Sequence, residues 1–199
     1  VVDSIMQSVG MEHIIYVDDS YSKSNSSVQL DVNAIAQGYS VDVLAKFLEA
    51  KGIKNYLVEI GGEVRAKGIK PKRQPWKVGI DRPLEEDAER ELALSLELRD
   101  KAMATSGNYR KFVEVNGQKF GHTLNPQTGY PATTDVLSAT VIAHDCMTAD
   151  AMATAFMVMG YSKAKLLIEE NAELEAVLIY SNSSGIQTWN STGLNDLIP

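Results

Sequence analysis

Between Thr148 and Gly160 the chain reads T-A-D-A-M-A-T-A-F-M-V-M-G. Ala, Met, Phe and Val fill nearly every position from Ala149 to Met159, so a helix here is apolar around its whole circumference and has to be buried. The remaining elements must supply its cover. Only Asp150 and Thr154 interrupt that surface. Their spacing stacks a carboxylate and a hydroxyl on one face, a turn apart. A buried carboxylate needs a partner. The pattern places Asp150 in the first helical turn, where the helix dipole favours the ionised form, and Gly160 is suited to end the helix. An anionic oxygen beside a neutral one suits a hard cation such as Mg²⁺, which is commonly held by one or two carboxylates and completed by water and phosphate oxygens. The alternative is local: Asp150 caps its own helix and Thr154 bonds back to the preceding turn.

With 199 residues and 44% hydrophobic content, the chain can bury a full core as one domain. A net charge of −7 and a pI near 5.0 argue against a nucleic-acid backbone or an anionic membrane surface as partner. Anionic substrates would then need a local cation. No stretch reaches the ~18 apolar residues of a membrane-spanning helix, and the first residues lack the basic start of a signal peptide. Cys146 is the only cysteine, which rules out an intrachain disulfide and a thiolate cluster for zinc. It reads as a small buried hydrophobe. His13, His122 and His144 lack metal-ligand spacing.

Val2, Ile5, Met6 and Val9 follow a helical repeat closed by Gly10. His13 to Val17 is predicted as a strand, Asp18 to Ser27 as a polar loop and Val28 to Asp31 as a short strand. After N-A-I-A-Q-G-Y-S-V-D a helix is predicted with Val41, Leu44, Phe47 and Leu48 on one face and Gly52 at its end. The strand-to-helix passage implies a functional loop. Tyr56 to Ile60, Glu63 to Gly68 and Trp76 to Asp81 read as strands. The Gly61-Gly62 break between the first two admits either close approach of a ligand or a plain hairpin turn. Glu85 to Glu91 is an acidic loop. Leu92, Leu94, Leu96 and Leu98 alternate with Ala93, Ser95, Glu97 and Arg99, the period of a half-buried strand. Lys101 to Thr105 leads into Ser106-Gly107, and Phe112 to Val115 and Gln118 to Phe120 flank Asn116-Gly117, a hairpin signal. In G-H-T-L-N-P-Q-T-G-Y-P the Asn-Pro and Thr-Gly pairs demand tight turns. Val136 to Ala143 is a strand, Ser162 caps a helix through Asn171, and Glu175 to Tyr180 and Ile186 to Trp189 form a closing hairpin. Strands outnumber helices and are mostly consecutive, so the fold class is α+β, a largely antiparallel sheet with flanking helices.

Five short blocks carry a resemblance: A-I-A-Q-G-Y-S-V-D (34–42), V-E-I-G-G-E-V-R-A-K-G (58–68), A-T-S-G-N-Y-R (104–110), H-T-L-N-P-Q-T-G-Y-P (122–131) and M-T-A-D-A-M-A-T-A-F (147–156). In this order and spacing they resemble the ApbE family, the FAD:protein FMN transferases. The resemblance implies one ApbE-like, T-fold-like domain over 1–199 that lacks the N-terminal segment of longer members. It implies Mg²⁺ held by Asp150, Thr154 and a main-chain carbonyl, that of Ala36 or its neighbour Ala34. Gly38, Tyr39, Gly61, Gly62 and Glu63 would line the flavin of FAD, with Ser106, Gly107 and His122 facing the ring or the phosphates. His122 would take the proton from an attacking hydroxyl, since an imidazole titrates near neutrality. The implied reaction passes FMN from FAD to a Thr or Ser of an acceptor protein, such as a subunit of a membrane redox complex, and releases AMP. The implied place is the bacterial periplasm or the outer face of the inner membrane, as a lipoprotein whose anchor is not in this chain. The same metal geometry would also serve water, giving an FAD pyrophosphatase, and a flavin-binding protein without turnover is a third reading. Gln37 stands where the family usually has Lys, and Asn125 and Gln127 where it commonly has Asp and Arg.

Overall fold

The computed structural model describes residues 1–82, 91–107, 112–115, 118–121 and 123–199. In chain order they form α1 (Val2–Met6), β1 (Ile14–Val17), β2 (Ser20–Lys23), α2 (Asn33–Ala50), β3 (Tyr56–Ile60), β4 (Glu63–Lys67), β5 (Trp76–Asp81), β6 (Leu92–Leu98), β7 (Lys101–Gly107), β8 (Phe112–Val115), β9 (Gln118–Gly121), β10 (Val136–Ala143), α3 (Cys146–Met159), α4 (Tyr161–Glu170), β11 (Glu175–Asn182) and β12 (Gly185–Asn190). Six strands make one antiparallel sheet in the order β12-β11-β10-β7-β4-β3. The pairs β1–β2, β5–β6 and β8–β9 are separate hairpins.

The central strands are apolar on both faces because both faces are covered. Along β10, Val141 packs among α3 and α4 residues while its neighbour Ile142 packs on the opposite side, against Leu96 and Leu98 of β6. Leu178 and Ile179 of β11 divide in the same way, which is the two-residue period of a strand. The helical side is centred on Phe156, which is fully buried with Ala149, Ala153 and Met157. Truncating such a Phe typically costs about 3–5 kcal/mol. The apolar helix is therefore the centre of the larger core, as its composition requires.

Four differences from the sequence expectation have local causes. The polar run after Val17 contains a strand: Asp18 and Asp19 take left-handed conformations (φ 48° and 57°) and turn the chain into β2, paired from Val17–Ser20 to Ile14–Lys23. No strand forms at 28–31. Instead the Asn33 N–H donates to Asp31 Oδ1 (2.8 Å) and the chain enters α2 at once, so A-I-A-Q-G-Y is helix rather than loop. Within α2 the buried residues are Gly38, Val41, Asp42 and Ala45, and Leu44 and Phe47 face outward. At α4 the N-terminal cap position is held by Gly160 rather than Ser162, and Asp135 accepts the Tyr161 N–H (2.8 Å). The acidic run 83–90 and the Asn116-Gly117 turn lie outside the described residues.

Candidate functional site

A cleft of about 1690 Å³ opens along α3 from Asp150 to Met159. Ordinary small-molecule pockets span about 300–1,000 Å³, so this one has room for a large ligand. Its walls come from the start of α2, the β3–β4 turn, the end of β7 and the turn segment at 123–127, with Asp150 and Thr154 among its lining residues. The β3–β4 turn is a true hairpin, Ile60 opposite Glu63, and its two glycines sit at φ 67° and 112°. The turn reading of Gly61-Gly62 holds, and both glycines lie on the cleft. The 123–131 segment is held by its own turn: Asn125 Oδ1 accepts the Gln127 N–H (2.8 Å), and Asn125 O accepts the Gly129 N–H (2.8 Å).

Asp150 is 6% exposed, and its Oδ2 accepts the Gly38 N–H at 2.9 Å. The local alternative of a self-capping Asp is not what the structure has. Asp145 caps α3 by accepting the Thr148 N–H (2.8 Å), which puts Asp150 in the second turn rather than the first. Burial raises the Asp150 carboxyl above its ordinary range, and the Gly38 N–H pulls it partly back. The helix dipole therefore does not set its charge state. Thr154 does not bond back along the helix either, since its Oγ1 lies 3.2 Å from Ser106 Oγ of β7. A carboxylate and two hydroxyls thus converge from α3 and the sheet.

Gly38 permits this convergence. A Cβ there would sit 2.3 Å from the Cys146 carbonyl oxygen and 2.8 Å from Asp150 Cβ, so α2 and α3 touch backbone to backbone. One turn further along α2, Asp42 accepts the Cys146 N–H (3.1 Å), the Met147 N–H (2.9 Å) and Arg65 Nη1 (2.6 Å). The first backbone donors of α3 are in this way satisfied by Asp42 and Asp145 together. Asp42 and Arg65 escaped the sequence reading, although Asp42 ends the block 34–42 at helical spacing from Gly38. Among the expected residues, Gly61, Gly62, Glu63, Ser106, Gly107, Asp150 and Thr154 share the cleft. Gly38 is beneath it, in the α2–α3 contact, and Tyr39 points outward at 55% exposure. Ala34 lines the cleft, whereas the Ala36 carbonyl accepts the Ser40 hydroxyl (2.8 Å). In an unbroken helix the Gly38 N–H belongs to the Ala34 carbonyl, so Asp150 competes for the donor of a carbonyl at the cleft wall. His122 lies outside the described residues.

A profile described as "ApbE family" matches residues 1–178. The chain belongs to the ApbE family. An ApbE relative named FAD:protein FMN transferase from Vibrio cholerae serotype O1 is 36% identical over 189 residues, covering 95% of this chain and 56% of that protein. Another of the same name from Haemophilus influenzae is 39% identical over 176 residues, covering 88% and 50%. Among solved structures, the flavin transferase ApbE from Vibrio cholerae superposes with a TM-score of 0.86 at 34% identity, over 99% of this chain and 62% of that one. The ApbE protein from Thermotoga maritima gives 0.85 at 28% identity, over 100% and 63%. The α+β antiparallel architecture is thus that of ApbE proteins, and the chain spans about half the length of the curated relatives it matches.

The donor set fits a hard cation. It offers the Asp150 carboxylate, the Thr154 hydroxyl and a carbonyl near Ala34, all oxygen. Among the described residues no three His, Cys, Asp or Glu side chains gather to hold an ion. A cation here would complete its shell with water and ligand phosphates, as Mg²⁺ commonly does.

Proposed function

We propose that this chain carries the transfer site of an enzyme that splits FAD at its pyrophosphate and passes FMN to a Thr or Ser hydroxyl of an acceptor protein. The observation that carries the reading is the pairing of Asp150 and Thr154 at one large cleft, in a chain whose relatives are named FAD:protein FMN transferase. In the reaction the acceptor oxygen bonds to the FMN phosphorus, the P–O bond to AMP breaks, and the hydroxyl proton must leave. Mg²⁺, when bound at Asp150 and Thr154, neutralises charge on the pyrophosphate and on the departing AMP. Asp150 is held in place by the Gly38 N–H, and Ser106 fixes the Thr154 hydroxyl. Gly62, with open space above its backbone, would admit the flat flavin ring at the β3–β4 turn. His122 is assigned the proton. The acceptor is a protein with an exposed Thr or Ser, such as a subunit of a membrane redox complex. The compartment is the periplasm or outer face of the bacterial inner membrane, reached by a lipid anchor; among the described residues no helix is long and apolar enough to cross a membrane.

Incubating the chain with FAD, Mg²⁺ and an acceptor, then weighing the acceptor by mass spectrometry, tests this. AMP and FMN-modified acceptor should appear in equal amounts and vanish in Asp150→Asn. His122→Ala should slow transfer by about 10²–10⁴-fold while leaving Mg²⁺ affinity unchanged. Equal AMP and free FMN with an unmodified acceptor would instead favour hydrolysis by water.

A further inference from the structure

Glu63 opens β4 directly after the Gly61-Gly62 turn, lines the same cleft as Asp150, and is 7% exposed. Its Oε2 is buried and receives no hydrogen bond from any described residue, the one side-chain oxygen or nitrogen among them in that condition. An unpaired carboxylate removed from water is costly, by several kcal/mol in real proteins. Its neighbours offer no relief. Arg65, two residues on along β4, gives its guanidinium to Asp42. Lys77, on the cleft wall, pairs with Glu97 at 3.2 Å.

The side chain facing Glu63 is neutral. A Cβ placed on Gly61 would fall 2.0 Å from Gln37 Nε2 and 3.4 Å from Glu63 Oε2, so the Gln37 amide and the carboxylate oxygen flank the same glycine without bonding to each other. Gln37 in turn precedes Gly38, whose N–H holds Asp150. Position 37 therefore lies near the Glu63 carboxylate and adjoins the residue whose N–H holds Asp150, and in this chain it brings no charge there.

We propose that Glu63 is the second carboxylate of the cleft's divalent-cation site, its Oε2 directed at the cation or at one of its bound waters; this rests on the reading that Asp150 and Thr154 hold that cation. Mg²⁺ is commonly bound through one or two carboxylates and keeps several waters. Both modes give the orphaned oxygen a partner.

Mn²⁺ is the probe, and free ion is followed by its electron spin resonance in the absence of any nucleotide. Three variants are compared with the parent: Glu63→Gln, which removes the charge at constant shape; Gln37→Lys, which keeps Glu63 but sets an ammonium against it; and Asp150→Asn. Thermal melting confirms that each is folded. Glu63→Gln and Gln37→Lys should each weaken Mn²⁺ binding by about tenfold or more, and Asp150→Asn should weaken it further. Parent-like affinity in both position-63 and position-37 variants, with binding lost in Asp150→Asn, overturns the role of Glu63 and leaves the Asp150 reading standing. Parent-like affinity in Asp150→Asn overturns the Asp150 reading and this proposal with it.

Discussion

Gly38 and Glu63 are small parts of the cleft whose effects can be measured without any substrate. Replacing Gly38 by Ala would set a methyl 2.3 Å from the Cys146 carbonyl oxygen, so α2 must retreat from α3. Such overpacking typically costs about 1–3 kcal/mol, which urea denaturation should report for Gly38→Ala. Because Gly38 N–H also holds Asp150, the same variant should lose cation affinity. Glu63 makes the stability of the protein depend on pH in an unusual direction. Its carboxyl sits at about 7 in the folded chain against an ordinary 4.5. The contribution is neutral below about pH 4, where both states are protonated; the penalty grows from about 4.5, where only the unfolded group ionises, and is complete above about 7, where the buried one ionises too. Glu63→Gln should therefore match the parent at pH 4 and exceed it at pH 8, by about 1–3 kcal/mol once solvent relaxation is allowed for. Thermal melts at the two pH values check this, and equal differences at both would contradict the assignment.

At the scale of elements, the start of α3 is held by two aspartates of different reach. Asp145 is a local cap, so Asp145→Ala should cost about 1 kcal/mol. Asp42 spans from α2 and also pairs with half-buried Arg65. Asp42→Ala strands that guanidinium, and breaking a buried pair from one side costs about 3–5 kcal/mol. Restoring part of the loss by adding Arg65→Met would separate the stranded charge from the lost helix contacts; both are read by denaturant unfolding. The contrast also marks what can be seen in a linear chain. α3 and β6 were legible because their apolar patterns have the period of the element, and Asp150 and Thr154 stood out against α3 for the same reason. β2 was not, since Ser20–Lys23 forms by main-chain pairing behind an Asp-Asp turn and its side chains carry no apolar signal. The inward face of α2 was misjudged because Gly38, Val41, Asp42 and Ala45 are smaller or more polar than the outward Leu44 and Phe47. Close approach to α3 demanded small residues, and size outweighed hydrophobicity. The parts of the cleft built by contacts distant in sequence, Asp42 on α3 and Gln37 against Glu63, had no local pattern to betray them.

For the molecule as a whole, the central sheet is enclosed, with helices on one face and the β5–β6 hairpin on the other. Strands β7, β10 and β11 lie between these covers, so their amides should be the slowest to exchange with solvent and should open only with global unfolding. Cys146 sits at the point where α3 meets this enclosure. It is fully buried, its thiol faces the carbonyls of Val64 (3.5 Å) and Met103 (3.9 Å), and burial first, then the nearby carboxylates, raise it far above the ordinary thiol range. A thiol so protonated and enclosed is inert to alkylation until α3 leaves the sheet. As the chain's sole cysteine it is also a single chemical clock: the rate at which an aromatic disulfide reagent consumes it counts departures of the helix that carries Asp150. Any ion or nucleotide that grips the cleft should slow that clock, and one that docks elsewhere should leave it running.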